Sequence, residues 1–217
     1  MSLYLYPIFI SKIAAIFIGI LHWRFLLKPY RYAVLQVFLI LLVELIGYYL
    51  DHVKHLNNIF LFNFYNLIEA WLLAFIGMKF LSVKFRNAIL YALVLLTLYW
   101  IYCLNSYGID VFFNWFFVIY CFFIVVLFIS VLFTNALFTK KKVIHEPLTL
   151  FCIAIVLYYG STIPLFGIMN YLIKSDVNSA ARLFYISHTI EIIRYLLIAF
   201  AFHLHATNTQ RMYMETF

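Results

Sequence analysis

The chain has 217 residues, of which 67% are hydrophobic, 22% aromatic and only 11% charged, with a formal net charge of +7. Soluble domains average about 25% charged and about 45–50% apolar residues, so a water-soluble fold is excluded and a multi-pass membrane protein is expected. The positive charge does not imply a nucleic-acid partner, because the basic residues sit at the ends of hydrophobic stretches, where chain orientation and anionic headgroups account for them.

A spanning helix needs about 20 predominantly apolar residues. By that rule the sequence divides into seven stretches, predicting an all-α, seven-transmembrane-helix bundle that occupies residues 1–217 as one domain. The first runs roughly from Leu3 to Trp23, with Pro7 in its first turn. It has no basic segment before its apolar core and no A-x-A site, so it is expected to remain as an uncleaved helix. Lys12 has two readings. A helix beginning after Pro7 lets Lys12 reach the outer headgroups, which is the preferred expectation. A helix beginning at Leu3 makes it central and able to pair with Glu44.

The second stretch, 32–50, contains Glu44, and the third, 59–79, contains Asn63, Asn66 and Glu69. The fourth, 87–104, carries no charge, and the fifth, 112–133, is an almost unbroken Phe/Val/Ile run ending before Lys140, Lys141 and Lys142. The sixth, 147–169, includes Gly160, Ser161, Thr162, Pro164 and Gly167, which predicts a kinked or partly opened helix. Gly160 and Pro164 are its candidate gate. The seventh, 183–203, carries His188, Glu191 and Arg194 at three-residue intervals, with the loop 174–182 before it.

Orientation follows from the basic residues. The breaks after the first, third and fifth spans and the tail hold ten Lys or Arg, against three in the other breaks. That asymmetry predicts the N-terminus outside and the C-terminus in the cytoplasm, in a membrane of bacterial inner or plasma type. The third and seventh spans also echo each other: Leu61-Phe62, Asn66, Ile68 and Glu69 align with Leu183-Phe184, His188, Ile190 and Glu191. A three-plus-one-plus-three arrangement of parallel repeats would place these spans equivalently, as in SWEET-type sugar transporters, an analogy of helix count and repeat parity alone.

An ionisable group at bilayer depth costs at least about 2.5–3.5 kcal/mol on insertion scales, so such groups face protein, water or ligand. Glu69, Glu191 and Arg194 fall near mid-span, with Asn63, Asn66, His188 and Glu44 toward the outer side. Facing inward, they would line an outward-opening cavity shared by spans three and seven and bind substrate or protons. Alternatively they form a packing network, in which Arg194 neutralises Glu191 and Glu69. Metal is not expected: the single His188-x-x-Glu191 reverses the di-iron order, and Asp51, His52 and His55 suit a solvated loop. Cys103, Cys121 and Cys152 lie within spans and suit buried packing. No nucleophile elbow, HExxH, P-loop or dinucleotide fingerprint occurs, and no cofactor is expected.

Three functions are compatible with this pattern. The first is a transporter or channel-like protein handling a small polar solute, ion or proton. The second is a sensor, accessory or effector subunit, working through a protein partner or as a homo-oligomer, with Lys140–Lys142 as a contact for that partner or for anionic lipid. The third is an intramembrane lipid-acting enzyme using His188 with Glu191 or Glu69 as acid and base.

Overall fold

The computed structural model describes residues 5–136, 146–175 and 177–215, with side chains over 6–135, 146–168 and 182–211. Lys140, Lys141 and Lys142 lie outside the described residues. Among those described, all regular structure is helical: α1 (Leu5–Leu21), α2 (Lys28–His52), α3 (Ile59–Met78), α4 (Val83–Tyr107), α5 (Asn114–Ala136), α6 (Pro147–Ser175) and α7 (Val177–Glu215), with a short 3₁₀ turn at Trp23–Phe25. Helices α2 to α7 are long and apolar enough to cross a membrane. Helix α1, at 17 residues, measures about 25 Å at 1.5 Å per residue, the lower end of what spans. The chain is a multi-pass helical membrane bundle.

Most hydrophobic stretches find their helices within a few residues at each end. The differences are largest around the seventh span, where the expected loop 174–182 is mostly helix and α7 continues to Glu215, well past the expected end at 203. Hydropathy marks where lipid ends, whereas a helix continues as long as its backbone hydrogen bonds do, and Ser, Ala and Arg tolerate that. Basic residues near two of the breaks satisfy backbone carbonyls there. Arg86 Nε donates to the carbonyls of Met78 and Leu81 at 2.9 and 3.1 Å, and Arg31 Nε to that of Leu26 at 2.9 Å. Those carbonyls have no intrahelical donor, so the arginines that mark orientation also satisfy backbone groups.

Six helices pack as a closed circuit in the order α1, α2, α3, α5, α6, α7 and back to α1, while α4 lies outside against α3 and α5. This neighbour order leaves room for the three-plus-one-plus-three arrangement, with α4 outside the circuit, without establishing a repeat. Helices α1 and α7 lie side by side and parallel, since Lys12 meets Glu191 and, farther along both, His22 meets His203. Lipid tails are as apolar as the helices, so close packing rather than hydrophobic transfer holds such a circuit. Small buried residues permit it: Ala15 and Ala33, then Ala154, Cys152, Ala199, Ala201 and Ala206. Gly19 is essential to the α1–α2 seam, because a Cβ there would collide with the Val34 side chain. At the end of α4, Gly108 takes φ +76°, a left-handed value that glycine adopts without strain.

Helix α1 presents two apolar faces. Ile10, Ile13, Phe17 and Ile20 point outward, while Ile8, Ser11, Lys12, Ala15 and Ile16 are buried. Lys12 is therefore not a snorkelling residue: its helix begins at Leu5, the lysine is the eighth of 17 residues, and its side chain has no exposed surface. Helix α6 keeps its helical conformation through Pro164, so the opened segment expected as one alternative is not formed. Proline removes one backbone donor, and the preceding turn is braced by Ser161 and Thr162, whose hydroxyls donate to the Tyr158 carbonyl at 2.8 and 2.6 Å.

Candidate functional site

On α3, Phe62, Tyr65, Asn66 and Glu69 follow the i, i+3, i+4, i+7 spacing that shares one helix face. On α7, His188, Glu191, Arg194 and Tyr195 fall at i, i+3, i+6, i+7, and on α2, Gln36, Ile40 and Glu44 fall at i, i+4, i+8. These stripes face one another inside the circuit and, except for Gln36, border a cavity of about 570 Å³. The cavity lies at the end of the bundle formed by the N-terminal halves of α3 and α7, the start of α5 and the C-terminal halves of α2 and α6. The far end is packed shut around Tyr30, whose ring meets Phe80, Phe151 and Phe202 edge-on with centroids 5.8–6.2 Å apart.

Two charged clusters build the cavity wall. In the first, the ammonium of Lys12 sits between the carboxylates of Glu44 and Glu191, 2.7 Å from the latter. His188 Nδ1 lies 3.8 Å from the other oxygen of Glu191. Two carboxylates share one lysine, so this cluster carries one formal negative charge with His188 neutral. In the second, Glu69 Oε1 accepts from Gln36 Nε2 at 2.7 Å and from the Tyr65 hydroxyl at 2.9 Å, while Oε2 accepts from the Tyr120 hydroxyl at 2.5 Å. The guanidinium of Arg194 approaches Glu69 at 3.5 Å, donates to the Tyr159 hydroxyl at 3.1 Å, and lies 4.5–5.0 Å from the ring centroids of Tyr158, Tyr159 and Tyr195. Tyr195 links the clusters, since Lys12 also lies 5.1 Å from its ring. A desolvated cation over aromatic faces gains about 2 kcal/mol or more, which is how Arg194 is accommodated with a single carboxylate nearby.

No protein-family model, curated protein or solved structure matches this chain. The site is therefore understood from its own geometry.

Of the residues singled out in the sequence, Glu44, Asn66, Glu69, His188, Glu191 and Arg194 border the cavity. Asn63 does not. Its amide donates to the carbonyls of Ile109 and Val111 at 3.1 and 2.8 Å, and its oxygen accepts from the Phe113 backbone at 3.2 Å, latching α3 to the segment before α5. Gly160 and Pro164 are not among the lining residues either. Arg194 pairs with Glu69 as one reading required, but Glu191 takes Lys12 from α1 rather than Arg194 from its own helix. Asn114, at the start of α5, closes the wall by donating to the Phe166 carbonyl at 2.9 Å.

Sequence reasoning missed Gln36 and the tyrosines. Gln36 is neutral, so a search for charge passes it by, although a glutamine in an apolar span is itself a signal. The tyrosines at 65, 120, 158, 159 and 195 are five of 18 in the chain, and nothing local distinguishes a hydroxyl aimed at a carboxylate from one aimed at lipid headgroups. Among the described residues no group of three or more His, Cys, Asp or Glu side chains is placed to hold a metal ion. The three cysteines are buried and unpaired.

Proposed function

We propose that the protein is an integral membrane transporter or channel-like protein whose central cavity handles a small polar solute, an ion or a proton. The observation that carries this reading is the cavity of about 570 Å³ at one end of the helix circuit, bordered by buried and half-buried ionisable residues from α2, α3 and α7. Charged groups placed inside a membrane bundle mark solute and proton paths, and a site between halves of a bundle suits alternating exposure. In this reading the cavity end faces outside and the Tyr30 end faces the cytoplasm, in a bacterial inner or plasma membrane, with the lysines at 140–142 against anionic headgroups.

Glu69 and Glu191 anchor the two clusters, so both affect passage. Purified protein reconstituted into liposomes is expected to move protons or a polar solute, and Glu69→Gln and Glu191→Gln to reduce the flux. Wild-type flux in both variants, at equal incorporation, removes the reading.

A further inference from the structure

The most accessible charged groups of the cavity are carboxylates. Lys12 and Arg194 have 0% and 2% of their side chains exposed, whereas Glu191, Glu44 and His188 expose 12%, 21% and 34%. Lys12 thus stands behind the wall and Arg194 borders it with almost no exposed surface, whereas Glu44, Glu191 and His188 stand forward. Glu44 is bonded to Lys12 through Oε1, leaving Oε2 without a protein partner among the described residues. The same carboxylates also border a second recess of about 200 Å³ that includes Ile8 and Phe9 of α1, so they are approached from two sides.

Asn66 adds an independent observation. Its side chain is 94% buried by the 6% it exposes, borders the cavity, and makes no hydrogen bond among the described residues. Its amide therefore has no partner to displace among those residues and is open to a polar group bound in the cavity. The remaining wall is aromatic, with Phe112, Phe117, Phe166, Phe184 and Tyr158 around the space. Aromatic faces are negative and attract ammonium groups.

We infer that the cavity binds an organic monocation: an ammonium head at Glu44, Glu191 and the Asn66 carbonyl oxygen, with an apolar or aromatic body against the phenylalanines. The head matches the single formal negative charge of the Lys12 cluster. The body matches the phenylalanine faces, which offer neither donors nor acceptors. The inference rests on the cavity being the binding site of the proposed transporter and names the class of its solute.

The test uses the full chain in nanodiscs and three probes of nearly equal shape: phenethylammonium, phenethyl alcohol and hydrocinnamate, titrated by calorimetry. Phenethylammonium is expected to bind at least about tenfold tighter than either of the others, and Glu44→Gln to weaken it by about tenfold, as loss of about 1.4 kcal/mol of charge interaction requires. Asn66→Leu is the second variant. It removes an unpartnered buried amide, so thermal stability is expected to hold or rise while phenethylammonium binding falls, a split that a purely structural asparagine does not produce. Equal or tighter binding of the alcohol or the acid overturns the inference, as does wild-type affinity in both variants. Flux separates the two readings: phenethylammonium bound but not moved into liposomes leaves the ligand class standing and removes transport. Flux of anionic or neutral solute without phenethylammonium binding does the reverse.

Discussion

Lys12→Met tests whether the first charge cluster holds the bundle together. Methionine keeps the length and volume of the side chain while removing its charge, so α1 still packs but Glu44 and Glu191 lose their shared cation. At 2.7 Å and an effective dielectric of about 20, the gross attraction of the ammonium to Glu191 is about 6 kcal/mol. Part of it offsets the desolvation of both ions. Removing one partner of a buried pair costs about 3–5 kcal/mol, because the other charge is left uncompensated. Two such carboxylates face each other here, so the expected loss is about 3–5 kcal/mol. The triple variant Lys12→Met/Glu44→Gln/Glu191→Gln removes the stranded charges and should recover most of that loss. Thermal unfolding of purified protein in a fixed detergent, followed by loss of the monodisperse species, measures both. An unchanged midpoint in Lys12→Met, or a triple variant no more stable than the single one, refutes the assignment of Lys12 as a shared counter-ion.

Three further outcomes are expected. Asn63→Ala removes three hydrogen bonds to residues 109–113 and should cost about 2–4 kcal/mol, with faster amide exchange confined to that segment as the readout. Gly19→Ala forces a methyl group against Val34 and should destabilise by about 1–3 kcal/mol; the double variant with Val34→Ala should be more stable than Gly19→Ala alone, and additive losses would contradict the contact. His22, in the turn after α1, lies 3.3 Å from His203, and partial burial together with that neighbour holds its pKa below the ordinary imidazole value. Between the lowered and ordinary values the folded protein binds fewer protons than the unfolded chain, so this contribution to stability is complete above about pH 6.5 and is lost as pH falls through the lowered pKa. His22→Gln should flatten the slope of unfolding midpoint against pH in that window, and an identical slope in both proteins would count against the pairing.

How far the chain discloses its fold depends on the scale of the interaction. Helix number and limits follow from hydropathy because lipid imposes the same length on every span, and the Glu69–Arg194 pairing follows because two opposite charges in one membrane must find each other. Lys12 shows where this stops. Its place inside or at the rim turned on where α1 begins, a difference of a few residues, and both faces of that helix are apolar, so periodicity does not reveal the inward one. Asn63 shares a helix face with cavity residues in the sequence, yet its partners lie 46–50 residues away in the segment before α5. Pro164 breaks a helix in water, whereas in a bundle the neighbouring hydroxyls and packing keep it helical.

The closure of the helix circuit between α1 and α7 sets an order on biogenesis. Lys12 and Glu44 are both in the bilayer once α1 and α2 have been inserted, but Glu191 and Arg194 arrive only with the seventh helix. Until then one carboxylate must hold Lys12, and Glu69 depends on Gln36, Tyr65 and Tyr120. A nascent chain that stalls before α7 therefore leaves the side of α1 that bears Lys12 open to lipid, where an ionisable group is costly.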